Sequence, residues 1–455
     1  MRAYLTLASL VILISGGCQR ALQKPQQDWP STINMKNDLI ELKVVPEAGG
    51  RVIQYKLGEY GFFWVNEELF GKQAPASGVG PKGEWLNYGG DKLWLAPQGW
   101  DNEQQWPGPP DANLDGRPYA TKITMKKNKP AVVELTSPED KRSGVQLSRK
   151  IKIFEGTTRV SIDAYMKNID DKNRRWGIWS HTQFNAGDRD GKGYNKDYRG
   201  YCPLNSNSVF PKGYNVMFGT EDNPSYKPDY KNKIMQVHYE RLLGKIGIDS
   251  KAGWVATVDG KNGYVFVQRF VYKADKEYPD RASVEFWMNG VGEFKAWGKI
   301  NRATDDPKTN PYVFESEILS PYADLRPAES CMFHYNWYAA KIGTAREVSD
   351  CSGTGVTCKR LSAKIRNKKL VLDGHYGVFY KGKLQLLFLD EAGKTVEEIL
   401  TEQEVSPLEP LIFSKLPRLT KDVDVPKEAD TLAVFICNEK GKVLGRLAET
   451  KIVRN

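Results

Sequence analysis

Histidine is scarce in this chain, with four in 455 residues, at positions 181, 238, 334 and 375. No spacing among the six cysteines matches a zinc site, so no metal is read, and nothing calls for a cofactor. Helical periodicity is almost missing; Val396–Gln403 is the best candidate for a helix. Beyond the first residues there is no apolar run long enough to cross a membrane. Lys and Arg outnumber Asp and Glu by 66 to 56, a net charge of +10. The two signs are interspersed, as in Glu139-Asp-Lys-Arg142 and Asp170-Asp-Lys-Asn-Arg-Arg175. No segment joins basic residues to aromatics in a recognition motif, so a nucleic-acid partner is not expected.

The N-terminus has a pattern of its own. Arg2 is followed by the apolar run Ala3–Ile14, then by Ser15-Gly16-Gly17 and Cys18. A charged start, an apolar stretch too short to span a bilayer and small residues at the cut form a secretory signal. A Cys at the first mature position fits lipid modification. The expectation is a signal peptide over 1–17, a lipid on Cys18, a polar tether over 18–36, and a lipid-anchored protein of the cell envelope. Membrane contact would then be through the lipid alone. An ordinary signal peptide with an incidental Cys is the alternative. Export permits disulfides. Cys351 and Cys358 bracket a Ser/Gly/Thr loop that closes easily, and are the first-choice pair.

Further along, the dominant period is two. Glu41–Val45 and Arg51–Leu57 alternate across a Gly-containing turn; Val145–Ile153 and Arg159–Met166 alternate across Glu155-Gly156. Similar runs recur at 253–258, 264–272, 283–288, 312–319 and 332–338. Many strands punctuated by Gly, Asn, Asp and Pro predict packed antiparallel sheets. Residues 73–118 and 188–232 break the rhythm and are expected to be long functional loops. Residues 37–345 are read as one β domain, 346–360 as a linker with the candidate disulfide, and 361–455 as a small β-sandwich domain. Asp188-Arg-Asp-Gly-Lys-Gly193 resembles a calcium loop but lacks further ligands, and reads as a turn.

Three segments carry chemistry. In Asn87-Tyr-Gly-Gly-Asp-Lys-Leu-Trp-Leu-Ala-Pro-Gln98, the glycines allow close approach to a ligand. Asp91 and Lys92 are charged hydrogen-bond partners, and Trp94 offers a stacking face. Sugars suit this mixture, having an apolar face and a rim of hydroxyls. In Trp176–Asn185, an extended backbone puts Trp179, His181 and Gln183 on one face. In Tyr312–Tyr322, Glu315 and Glu317 share a face. Each has a plainer reading: buried Trp packing, a structural His, and solvated carboxylates.

Taken in order, these segments resemble the galactose mutarotase-like superfamily over roughly residues 38–345. Leu42–Val45 with Gly49-Gly50-Arg51-Val-Ile resembles its opening hairpin, and Leu147–Asn168 its paired strands. Ser180-His181-Thr-Gln-Phe-Asn185 resembles the segment holding the mutarotase acid. Phe314-Glu315-Ser-Glu317 resembles the one holding the base, and Leu325-Arg-Pro-Ala-Glu-Ser330 the stretch that follows. The Gly-Gly-Asp-Lys-Leu-Trp-Leu-Ala-Pro-Gln string looks like an uncharacterised bacterial branch. The resemblance implies a β-supersandwich, with Glu315 taking the anomeric proton and His181 protonating the ring oxygen from the opposite side. Arg51, Asp91, Lys92, Trp94, Trp179, Gln183 and Glu317 would contact substrate. The chain departs from the pattern in having no His before His181, Gln183 for Tyr and Ser180 for Asn.

The functional expectation is a carbohydrate-binding cleft, with aldose 1-epimerase chemistry as its catalytic form. A polysaccharide-processing role with a longer substrate is a second enzymatic reading. A non-catalytic glycan-binding or surface-assembly protein is the alternative from another class.

Overall fold

A computed structural model describes residues 28–454 apart from 126–130, 297, 367–368, 417–418 and 420–422. Cys18, the signal peptide and the first part of the expected tether lie outside the described residues. The remainder of that tether is part of the fold. Trp29 is buried against Phe70 and Tyr88, and Ile33–Lys36 pairs with the strand Ile40–Val45. The alternation of Ile33 and Met35 with polar neighbours suits a sheet margin, which is why the chain is already ordered here.

The described chain is nearly all β. A front sheet of eleven strands runs in the order 33–36, 40–45, 51–57, 91–96, 174–185, 313–319, 284–288, 244–248, 215–218, with two short strands at its side. A back sheet of ten strands contains 145–153, 160–168, 330–341, 264–270, 254–259 and 198–203. The inward residues of both sheets form one hydrophobic core, in which Tyr55, Phe184, Phe266 and Trp337 meet. Alternating strands with one apolar side must bury that side against another layer. A two-stranded hairpin, 292–296 with 299–303, stands apart from both sheets.

A third sheet of eight strands is built from residues 350–454 around its own core of Leu372, Leu386, Phe388 and Val434. It adjoins the back sheet where Phe379 stacks on Tyr338 and its carbonyl accepts from Thr157. Several expectations change here. Val396–Gln403 lies within the strand Thr395–Val405, whose burial alternates with period two; long polar side chains on an edge strand had resembled a helical face. All five described cysteines are free thiols. Cys351 pairs in register with Val356, not Cys358, and its side chain packs in an apolar cluster.

The two long loops are also partly sheet. Residues 73–118 contain Asp91–Ala96, a fully buried strand of the front sheet, and 188–232 contain strands 198–203, 215–218 and 226–229. Gly89 and Gly90 adopt φ of +88° and +70°. A Cβ there would stand 2.2 Å from the Trp64 carbonyl oxygen and 2.5 Å from that of Val52. The close approach they allow is to neighbouring backbone, not to a ligand. Asp188–Gly193 is a turn whose Asp188 and Asp190 are both paired to Lys261 at 2.7 Å.

Candidate functional site

The strand Arg174–Asn185 is flanked by 91–96 on one side and 313–319 on the other, both antiparallel. Register sets Trp179 beside Trp94, His181 between Lys92 and Glu317, and Gln183 beside Glu315. Side chains alternate along a strand, so these residues share the outer face of the front sheet. The next strands continue it, with Glu285 beside Glu317, Trp287 beside Glu315, and Lys245 beside Trp287. Loops and the 292–303 hairpin wall this face into a cavity of about 900 Å³. His181, Gln183, Glu315 and Glu317 form its floor with Trp94, Trp179 and Lys245.

The floor is closely bonded. His181 Nε2 lies 2.9 Å from Glu315 Oε2 and 3.8 Å from Glu317 Oε1. Gln183 donates to Glu315 at 2.7 Å, and the Trp179 indole N–H donates to Glu317 at 2.8 Å. Lys245 bridges Glu285 at 2.7 Å and Glu317 at 3.4 Å. The His181 ring sits 4.1 Å from that of Trp94. The expected acid and base are therefore in direct contact, not separated by the width of a sugar ring.

Burial and neighbours divide the charges. Burial lowers His181 to about 4 against the pull of Glu315, so it is neutral at pH 7. Burial acts to raise Glu315, but His181, Lys92 and Gln183 outweigh it and hold the carboxyl below its usual range. Glu317 goes the other way: burial, with Glu285 and Glu315 close by, raises it well above that range despite Lys245. Two carboxyls two residues apart on one strand are thus pushed in opposite directions, the kind of split that supports acid–base chemistry. Burial, and next Arg51, lower Lys92 to about 8. Lys92 Nζ, His181 Nδ1, Gln183 Oε1, Glu285 Oε1 and Glu317 Oε1 are buried without a hydrogen-bond partner. Buried polar groups are nearly always paired, and each orphan costs about 1–3 kcal/mol. Their concentration in one place marks a site that stability alone did not shape.

Two expected ligand contacts face elsewhere. Asp91 points into the space between the sheets, where it pairs with Arg149 at 2.5 Å and accepts from Thr182 and Ser180 at 2.8 and 3.2 Å. Neighbouring strand positions face opposite ways, so Lys92 joins the floor side and Asp91 cannot. Arg51 is fully buried against Asp115 at 2.8 Å. Asp115 in turn accepts the indole N–H groups of Trp85 and Trp94 at 2.7 and 2.8 Å. Arg51 thus steadies the wall from behind. Lys92 lies under the floor, 4.8 Å from the Trp94 ring.

Sequence reasoning missed Lys245, Glu285, Trp287, Trp64, Trp85 and Asp115. Lys245 and Glu285 carried a signal, since each is a lone charge in a strand otherwise free of charged residues: Gly244-Lys-Ile-Gly-Ile248 and Val284-Glu-Phe-Trp-Met288. Ligand atoms of His181, Glu315 and Glu317 lie within 4.8 Å of one another, so the trio has the reach to hold one ion. The ammonium of Lys245 opposes a second cation there, and His181 Nδ1 lacks the acceptor that normally orients a metal-binding imidazole. A second cleft, of about 420 Å³ on the third sheet, is lined by Lys381, Lys383, Glu404 and Glu439 among others; no comparable acid–base cluster lines it.

Residues 31–190 match a family model described as a domain of unknown function, DUF4380. No curated protein matches. Among solved structures, the chain is similar to a TPR-domain containing protein from Parabacteroides distasonis, at 12% identity and a TM-score of 0.44. That match covers 68% of this chain and 46% of the other, so this chain spans less than half of that protein. It is also similar to a galactose mutarotase-like protein from Lactobacillus casei, at 13% identity and a TM-score of 0.40, over 68% of this chain and 99% of that one. A third, a galactose mutarotase-like protein from Clostridium acetobutylicum, gives 11% identity and a TM-score of 0.40, over 68% and 95%. Superpositions this loose carry nothing about activity.

Proposed function

We propose that this protein is an exported lipoprotein that binds carbohydrate in the front-sheet cleft and acts there on an anomeric centre. The observation carrying this reading is the meeting of Trp179, His181 and Gln183 with Glu315 and Glu317 on one floor beneath aromatic walls. Pyranoses need apolar faces beside hydrogen-bonding groups, and the floor supplies both within one cleft. The superfamily resemblance of these same segments supports the choice of sugar.

In the catalytic form, the anomeric hydroxyl takes the place of His181 on Glu315, which accepts its proton. His181, freed from that bond, turns its Nε2–H to the ring oxygen, and Glu317 beside it restores the proton. After ring opening and rotation about the carbonyl carbon, closure gives the other anomer: Glu315 returns its proton to the carbonyl oxygen, and the proton of the attacking hydroxyl passes through His181 back to Glu317. Polarimetry and NMR exchange across a panel of aldoses test this. His181→Ala and Glu315→Gln should each slow interconversion by roughly a hundred- to ten-thousand-fold. Saturable binding without any acceleration would favour the non-catalytic glycan-binding alternative. No saccharide bound at all would sink both forms.

The lipid on Cys18 belongs to the same proposal. Cys18→Ser should leave a folded protein that no longer sediments with membranes, because one lipid is the only anchor read from the sequence. Retention of the variant in detergent-free membrane fractions would contradict it.

A further inference from the structure

The cleft is long as well as polar. Its lining crosses six consecutive strands of the front sheet, from Trp94 through His181, Glu315, Trp287 and Lys245 to Phe218. Five steps of about 4.8 Å make this about 24 Å. One pyranose is no wider than roughly two strand spacings, so a monosaccharide on the His181–Glu315 floor would leave most of the cavity to water. The acid–base cluster lies part-way along this span, with lining on both sides.

Each side carries half-buried aromatic rings. Trp85 stands at one side, 6.1 Å from Trp94 and fixed by its bond to Asp115. At the other, Phe218, Trp287 and Phe294 form a three-ring cluster with centroids 5.7 to 6.1 Å apart. Phe294 is carried by the separate 292–303 hairpin. These rings are part-exposed in the cleft lining, where a core would have hidden them. The cleft's lining carries four carboxyl groups, Glu67, Glu68, Glu315 and Glu317, against two ammonium groups, Lys245 and Lys308. That balance repels an anionic chain.

We infer that the cleft holds a linear, uncharged oligosaccharide, with one unit over the His181–Glu315 floor and further units stacked on the aromatic platforms to either side. This rests on the carbohydrate reading above and adds the length and charge of the ligand.

The test is calorimetric titration of the full mature protein with monomer-to-hexamer ladders of β-1,4-glucan, α-1,4-glucan, β-1,4-xylan and β-1,4-mannan. The expected result is that in at least one ladder affinity rises by roughly tenfold or more from monomer to hexamer. Phe294→Ala, on the exposed hairpin, should bring monomer and hexamer affinities together without altering the thermal transition. Phe218→Ala gives a second reading from another element. A monomer bound as tightly as its hexamer would overturn this inference and leave the carbohydrate reading standing. So would ladders unchanged by both substitutions. No binding by any ladder or aldose would overturn the two together.

Discussion

The strand 174–185 has two polar faces, and they differ in one respect. On the inner face, Ser180 and Thr182 join a largely bonded network, with one orphan, the Tyr335 hydroxyl, beside it. Arg149 pairs with Asp91, Asp91 accepts from Thr182, Gln268 donates to Thr182 and accepts from Ser316, and Thr257 donates to Ser316. On the outer face, Trp179, His181 and Gln183 belong to a cluster with five unpartnered polar atoms. Both faces are buried, so burial alone does not tell structure from function. The degree of saturation does: a core network that satisfies nearly all its members stabilises and specifies, whereas one with five open atoms implies a group that arrives later.

The sharpest way to break this comparison is to open the closed side. Asp91→Ala leaves the Arg149 guanidinium buried and uncompensated, and should cost about 3–5 kcal/mol in urea unfolding. A loss below about 1 kcal/mol would mean that the inner network is not structural.

A smaller effect is expected from pH. His181 has an ordinary value of 6.5 and is held at about 4 when folded. The unfolded chain therefore binds a proton that the fold refuses, and stability present above 6.5 is lost as pH falls towards 4. At about 1.4 kcal/mol for each pH unit, the loss is at most about 3.5 kcal/mol. His238, also lowered to about 4 by burial, shares this window. His181→Gln should flatten part of the slope in thermal melts between pH 7 and 4. An unchanged slope would show that His181 is not held neutral.

The smallest effect separates the faces most finely. Glu317→Gln keeps the shape of a carboxyl whose proton affinity burial, Glu285 and Glu315 raise. Stability should stay within about 1 kcal/mol of the wild type, while any anomer interconversion falls. A destabilisation as large as that of Asp91→Ala would make Glu317 a structural ion and remove the distinction.

The legible part of this molecule was periodic. Strands 51–57 and 145–153 are read from alternation to the residue, and the shared faces of Trp179, His181, Gln183 and of Glu315, Glu317 follow from the same rule. Lys92 and Asp91 show its limit. They are neighbours in one motif and both looked like ligand contacts, yet a strand turns one to the floor and the other to the core. The paired glycines misled for a related reason, since close approach can be to a ligand or to the chain itself. The C-terminal edge strand misled because polar side chains dilute a period-two signal.

What the sequence determined by itself was which residues share a face, because backbone geometry fixes that within a strand. Which faces meet was decided only by tertiary structure. Trp179–Gln183 and Glu315–Glu317 are more than a hundred residues apart, and their pairing depends on strand order and register. So does the arrival of Lys245 and Glu285, which set the charge on Glu317. Proton affinity in this cleft is the outcome of burial and neighbours, and a linear chain specifies neither until it has folded.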